Sequence, residues 1–178
     1  MNILILTYQG DIAGSTNSIS YLARGLSEKG HNVYVGCRRE SLLYSLLKDT
    51  KVNLIEMTFK SKLDYKNMKR INEFVKKYNI DIINAQSSKD RYTSIFSKIL
   101  YRFDSKIVHT RRQTPKSSGF FLQNWLYNKF TDMFVAVSDE VKEELIKGGI
   151  AKDKIRVIYN GTPNYKNENI KTKKKEVL

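Results

Sequence analysis

The chain has 178 residues, enough for one domain with a sizeable core. A hydrophobic fraction of 40%, a charged fraction of 28%, two prolines and nine glycines exclude a fibrous or disordered chain. A single cysteine, Cys37, excludes an internal disulfide, and no apolar run reaches the roughly 20 residues of a membrane-spanning helix.

Net charge is +14, and the excess is local. Residues 60–77 carry seven basic side chains against two acidic ones, 89–116 carry eight against two, and 164–178 carry five against two. Two readings are open: a solvated Lys-rich surface, or a docking face for an anionic partner such as a phosphorylated ligand, a membrane surface or a nucleic acid. The chain shows no helix-turn-helix, RNP motif or zinc knuckle, so charge alone speaks for nucleic acid.

Residues 2–7 (NILILT) form a continuous apolar run of strand length. Continuous rather than alternating apolarity predicts burial on both faces, as in a parallel sheet. The apolar start lacks a basic leader and a cleavage site, so it reads as a strand and points to a cytoplasmic protein. Residues 8–16 (YQGDIAGST) form a loop with two glycines, followed by a helix with Ile19, Leu22, Ala23 and Leu26 on one face and a stop at Gly30. Residues 31–37 predict a second strand. Leu42, Leu43, Leu46 and Leu47 predict a short amphipathic helix, and 52–59 a third strand.

From 64 to 78, Met68, Ile71, Val75 and Tyr78 make an apolar stripe beside Lys66, Lys69, Arg70, Lys76 and Lys77. Residues 80–85 (IDIINA) predict a fourth strand that ends at Gln86-Ser87-Ser88. Tyr92, Ile95, Phe96, Ile99 and Leu100 predict the buried stripe of the next helix. Residues 106–110 predict a fifth strand, ending at Arg111-Arg112-Gln113-Thr114-Pro115, and 122–130 a helix with Trp125 and Leu126. Trp125, Phe120 and Phe121 read as core or as an apolar patch. Residues 133–163 then read as strand, helix, turn and strand, closing on Asn160-Gly161-Thr162-Pro163. Strands alternating with helices predict an α/β, Rossmann-like doubly wound parallel sheet over 1–163. Residues 164–178 read as a basic linker, and the apolar Val177-Leu178 as the start of a further strand.

In such sheets, ligands bind beyond the C-terminal ends of the strands. Five polar clusters fall there: 10–16, 86–89, 111–114, Ser138-Asp139 and 160–162. The first is either a plain tight turn or a cradle of backbone N–H groups for a phosphate. Its spacing is G-x-x-x-G, so the dinucleotide fingerprint is absent. Arg111 and Arg112 are either a surface pair or a fork for phosphate or carboxylate. Ser138 is either a helix N-cap or a ligand contact. His31 and His109 read as structural, and no metal-ligand spacing or G-x-S-x-G elbow is present.

The segment 133–163, with Val137-Ser138, a charged helix and Lys154-Ile155-Arg156-Val157-Ile158-Tyr159-Asn160-Gly161, resembles the end of the N-terminal domain of GT-B glycosyltransferases of family 4, the retaining "group 1" enzymes. The first strand, the glycine loop and Gly30-His31-x-Val33 agree with it. The resemblance implies the acceptor-side domain of a hexosyltransferase-type enzyme. That enzyme moves a sugar, with retention, from a nucleotide-sugar donor to a cell-envelope polysaccharide, lipopolysaccharide or lipid-linked acceptor, and requires no cofactor or metal. It implies a missing donor-binding half carrying Glu-x7-Glu, so the chain is expected to be an isolated fragment that does not turn over alone. It places donor-phosphate or acceptor contacts at Gly10, Gly14, Ser15, Ser87, Arg111, Arg112, Ser138, Asn160 and Gly161. Gln86 and Arg112 stand where the family often has histidine; they are the catalytic candidates. The basic helix with Lys66, Lys69, Arg70, Lys76 and Lys77 fits family members that work peripherally at the inner membrane face. The rival reading is a stand-alone Rossmann-like module that binds a nucleotide or phosphorylated ligand without catalysis.

Overall fold

The computed structural model describes residues 1–11, 13–113 and 121–161, with the side chains of Ala13, Phe121 and Leu122 left aside. Thr114, Pro115, Phe120, Thr162, Pro163 and the predicted linker 164–178 lie outside the described residues. The elements are β1 (Asn2–Leu6), α1 (Ala13–Glu28), β2 (Asn32–Cys37), α2 (Leu42–Leu47), β3 (Asn53–Glu56), α3 (Tyr65–Tyr78) and β4 (Ile82–Ala85). They continue as α4 (Ser88–Tyr101), β5 (Lys106–Arg111), α5 (Phe121–Phe130), β6 (Met133–Ala136), α6 (Asp139–Lys147), a 3-10 turn (Lys152–Lys154) and β7 (Ile155–Val157).

All seven strands are parallel, in the order β3-β2-β1-β4-β5-β6-β7. The expected α/β Rossmann-like sheet is therefore present. The run NILIL is continuous because it serves two layers. Ile3 and Ile5 pack with Ile19 and Ala23 of α1 and with Leu43 and Leu47 of α2. Leu4 and Leu6 face the other way, toward Ile71 and Val75 of α3 and Ile83 of β4. A third apolar cluster joins Ile107 of β5, Phe134 of β6, Ile95 of α4 and Val141 and Leu145 of α6. Cys37 is buried in the first cluster, and burial pushes its thiol up to about 11, so it is not a reactive thiolate.

Helix ends follow local chemistry. Gly30, at φ +83°, supplies the left-handed turn after α1, where its N–H donates to Ser27 O and His31 N–H to Leu26 O. Ser41, Asp64 and Ser138 cap α2, α3 and α6, accepting from Tyr44, Asn67 and Val141 N–H respectively.

The expected stripe of α4 needs correction. Ile95 is buried, but Ile99 is 37% and Leu100 52% exposed. Beside Ile95 the buried positions are polar: Thr93, Ser94 and Ser97. Small side chains let α4 approach α3 closely, and their hydroxyls are satisfied by carbonyls. Ser97 donates to Met68 O at 2.8 Å, and Ser94 to Asp90 O at 2.7 Å. The α3 stripe holds, with Met68, Ile71 and Val75 buried and the basic side chains outward. Trp125 is 45% exposed, stacked edge-on with Phe130 beneath the Lys129 ammonium, so it belongs to a surface patch.

Candidate functional site: a cationic cleft at the sheet switch point

The chain runs outward from β1 through β2 to β3, then returns to place β4 on the other side of β1. Connections leaving β1 and β4 thus diverge, which opens a crevice beyond their C-terminal ends. A cleft of about 690 Å³ occupies that place. Residues from four of the five predicted clusters line it: Gly14 and Ser15, Gln86 and Ser87, Arg111 and Arg112, and Asn160.

Thr7 ties its floor together. Its hydroxyl donates to Gln9 O at 2.6 Å, accepts from Gln9 N–H at 3.1 Å and lies 3.0 Å from Ser87 Oγ. Asp90 anchors the start of α4. It is fully buried, and its carboxylate accepts from Gln86 and Ser87 N–H, both at 2.8 Å, and from Tyr8 N–H at 3.3 Å. Burial pushes this carboxyl up to about 7, opposed by the Ser87 backbone bond and the charge of Arg91. Ser87 is thereby engaged at the helix cap and is itself buried.

A polar chain crosses the cleft. Thr110 Oγ1 and Gln86 Nε2 both donate to Asn84 Oδ1, at 3.0 and 2.8 Å. Arg112 Nη1 donates to Gln86 Oε1 at 2.5 Å, and Nη2 to Ser18 Oγ at 3.4 Å. Ser18 Oγ in turn donates to Asn160 Oδ1 at 2.9 Å. Strands β4 and β5, helix α1 and the loop after β7 are linked by this one path.

Three guanidinium groups line the cleft: Arg91, Arg111 and Arg112. Among the described residues, none makes an ion pair with a carboxylate. Burial lowers Arg111 to about 10, with the charge of Arg91 adding to the shift, and burial lowers Arg112 to about 10 against the pull of Asp90. Both therefore remain cationic at neutral pH. Arg91 is only 8% exposed, and its Nε has no hydrogen-bond partner; the same holds for Arg112 Nε. Asp90 and Arg91 were not singled out in the sequence. The spacing Ser87-x-x-Asp90 is a capping-box signal that marks the first of them.

The other predicted residues lie elsewhere. Gly10 is buried against Ser41, where an added Cβ would come within 2.7 Å of Ser41 Cβ, and it lines a neighbouring cleft of about 390 Å³ with Asp11 and Arg38. Gly161 lines a third cleft, of about 330 Å³, with Tyr159 and Val137. Ser138 caps α6 and lines none of the three. Gly14 stands in the first turn of α1, not in a loop turn.

The cleft can bind an anion and hydroxyl groups. Its described lining holds no Asp, Glu or His. His109 is fully buried between Tyr127 and Phe134, and burial lowers it well below the usual histidine range, with Arg91 and Arg111 adding to the shift. Neither Gln86 nor the cationic Arg112 can accept a proton. Among the described residues no group of His, Cys, Asp and Glu could hold a metal ion, and no helix is long and apolar enough to cross a membrane.

Comparison with solved structures gives the same architecture. HepE from Anabaena in complex with UDP superposes with a TM-score of 0.73 at 19% identity, over 91% of this chain and 44% of HepE. A glycosyltransferase from Rickettsia africae gives a TM-score of 0.71 at 26% identity, over 89% of this chain and 42% of that one. The apo lipopolysaccharide outer core galactosyltransferase WaaB gives 0.65 at 16% identity, over 91% and 46%. The chain spans less than half the length of each of these proteins. No curated protein sequence matches it. The family model for Glycosyltransferase Family 4 matches residues 12–163. With that match covering most of the chain, and a parallel sheet shared with GT-B glycosyltransferases, the chain belongs to glycosyltransferase family 4.

Proposed function

We propose that this chain is the acceptor-side domain of a retaining glycosyltransferase that moves a hexose from a nucleotide-sugar donor to a cell-envelope glycan or lipid-linked acceptor. The observation that carries the reading is the cleft itself. The first turn of α1, with Gly14, faces the same space as Gln86, Arg111 and Arg112, at the switch point of a family 4 sheet. Backbone N–H groups of that turn suit a donor phosphate, and the polar path through Asn84, Gln86 and Ser18 suits sugar hydroxyls. HepE was solved with UDP and with UDP-glucose, which supports a nucleotide-sugar as the donor class. On this reading the described lining residues bind and orient, and sugar transfer needs groups from a donor-binding half. The isolated chain is therefore expected to be inactive.

The test is transfer of labelled hexose from UDP-glucose and UDP-galactose to lipid-linked acceptors by the full-length parent, with the new linkage read by NMR. Retained configuration, with no transfer by the 178-residue chain alone, supports the reading. An inverted product, or turnover by the chain alone, overturns it.

The same reading includes peripheral membrane docking through α3. Lys66, Lys69, Lys76 and Lys77 are exposed, and Leu63 and Tyr65 at the helix start are 67% and 64% exposed. Each cation near an anionic surface adds about 1 kcal/mol, and two apolar side chains beside them suit the interface. Liposome sedimentation checks this: salt-sensitive binding to vesicles with anionic lipid is expected, and equal recovery with neutral vesicles removes the docking face.

A further inference from the structure

We propose that Arg91, Arg111 and Arg112 form an anion subsite for a phosphate group carried by the acceptor; the acceptor assignment rests on the glycosyltransferase reading above. Three cations converge on one cleft without a carboxylate ion-pair partner among the described residues. Such burial is costly unless the charge is met by an anion. The nearby carboxyl, Asp90, supplies only part of it: its charge reaches Arg91 and Arg112 without a direct ion pair, and its oxygens accept from the backbone N–H groups of Tyr8, Gln86 and Ser87. Arg91 is the strongest sign of an absent ligand. It is more than nine-tenths buried, lines the cleft and has an unpartnered Nε. Arg111 stands beside it, close enough for the Arg91 charge to disfavour that of Arg111. Arg112 is held in place by Gln86 and Ser18 and adds the third charge.

Sheet order separates Arg111 from the first turn of α1, while Arg112 reaches α1 at Ser18. Strand β4 lies between β1 and β5, so the ends of β1 and β5 are two strand spacings apart, about 10 Å. An anion held at Arg111 is thereby set apart from a donor phosphate at Gly14, and competition by UDP distinguishes the two. Three guanidinium forks favour a doubly charged phosphate over a singly charged carboxylate.

The experiment needs only this chain. It is titrated by NMR with glucose 6-phosphate, glucuronate and methyl glucoside. The phosphate ester is expected to bind tightest, with affinity falling as salt rises, and Arg111→Gln is expected to weaken it by about tenfold. Arg91→Met is expected to do the same; because Arg91 is buried, the less buried Arg111 carries the test if that variant fails to fold. An excess of UDP is expected to leave the phosphate ester bound. Equal binding of the three ligands, glucuronate binding as tightly as the phosphate, or indifference to Arg111→Gln overturns the subsite. Displacement by UDP overturns the acceptor assignment and gives the cluster to the donor diphosphate. Failure of sugar transfer by the full-length parent would remove the glycosyltransferase reading while leaving this phosphate measurement intact.

Discussion

Arg112 Nη1 donates to Gln86 Oε1 at 2.5 Å, joining the ends of β5 and β4 across the floor of the cleft. These are the two positions at which the family resemblance leads one to expect histidines. Here they carry a fixed cation and a neutral amide, bound to each other. Gln86 also donates to Asn84, so its orientation is set from both ends. Gln86→Ala leaves Arg112 without one of its two acceptors in a part-buried site. It is expected to cost about 1–2 kcal/mol of stability, and Gln86→Ala with Arg112→Ala to show a coupling of about 1 kcal/mol. Chemical denaturation of the four proteins measures this; additive costs would show that the pair is not coupled.

Two buried titratable groups near the cleft give opposite pH dependences. Asp90 is pushed up to about 7, so between about pH 4 and 7 the unfolded chain ionises it while the folded chain keeps the proton. Its contribution therefore weakens as pH rises through that window. His109 is lowered, so below about pH 6.5 the unfolded chain takes a proton that the folded chain refuses, and stability falls as pH falls. Relative to the unaltered chain, Asp90→Asn should gain stability as pH rises from 4 to 7. One amide oxygen can still accept from both Gln86 and Ser87, which share a single Asp90 oxygen. His109→Leu should gain relative stability as pH falls below 6.5. Urea midpoints across pH 4–8 check both, and parallel curves for either variant would remove the corresponding assignment.

The sheet was legible because parallel strands buried on both faces write themselves as continuous apolar runs, as in NILIL. The site's location was legible from the strand ends. Its internal connections were not, because Gln86 meets Arg112 only once β4 and β5 are known to be neighbours. Arg91 and Asp90 were missed for a related reason: charged residues in a helix's first turn normally mark solvent or a dipole-facing end, and nothing local says that this end is sealed by β1 and its loop. Helix α4 misled in the same way, since hydroxyls share its buried face with Ile95.

That inversion in α4 is itself testable. Ser97 is fully buried and bonded to Met68 O, while Leu100 is half-exposed. Ser97→Leu should cost about 1–3 kcal/mol by forcing α3 and α4 apart, despite its apolar gain. Leu100→Ser should stay within about 0.5 kcal/mol. Thermal melts compare them directly; the reverse ranking would restore the apolar stripe as the buried face.

Gly10, in the loop after β1, and Gly14, in the first turn of α1, belong to different problems. Gly10 O accepts from Leu43 N–H, and its α-carbon lies against Ser41, the cap of α2. An alanine there would bring Cβ to 2.7 Å from Ser41 Cβ, which has no flexible end to move aside. Gly10→Ala should therefore cost about 1–3 kcal/mol. Gly14 has nothing within 4 Å of an added Cβ, is exposed, and does not use a left-handed φ. The fold gives no reason for glycine in that helical turn, and Gly14→Ala should stabilise the chain by roughly 0.5–1 kcal/mol. What the extra methyl would obstruct is a ligand approaching the backbone N–H groups of α1. On the proposed glycosyltransferase reading, Gly14→Ala in a full-length parent is expected to raise the Michaelis constant for the nucleotide-sugar while the melting temperature rises. A variant that is more stable and binds donor unchanged would show that this glycine serves neither the fold nor the phosphate.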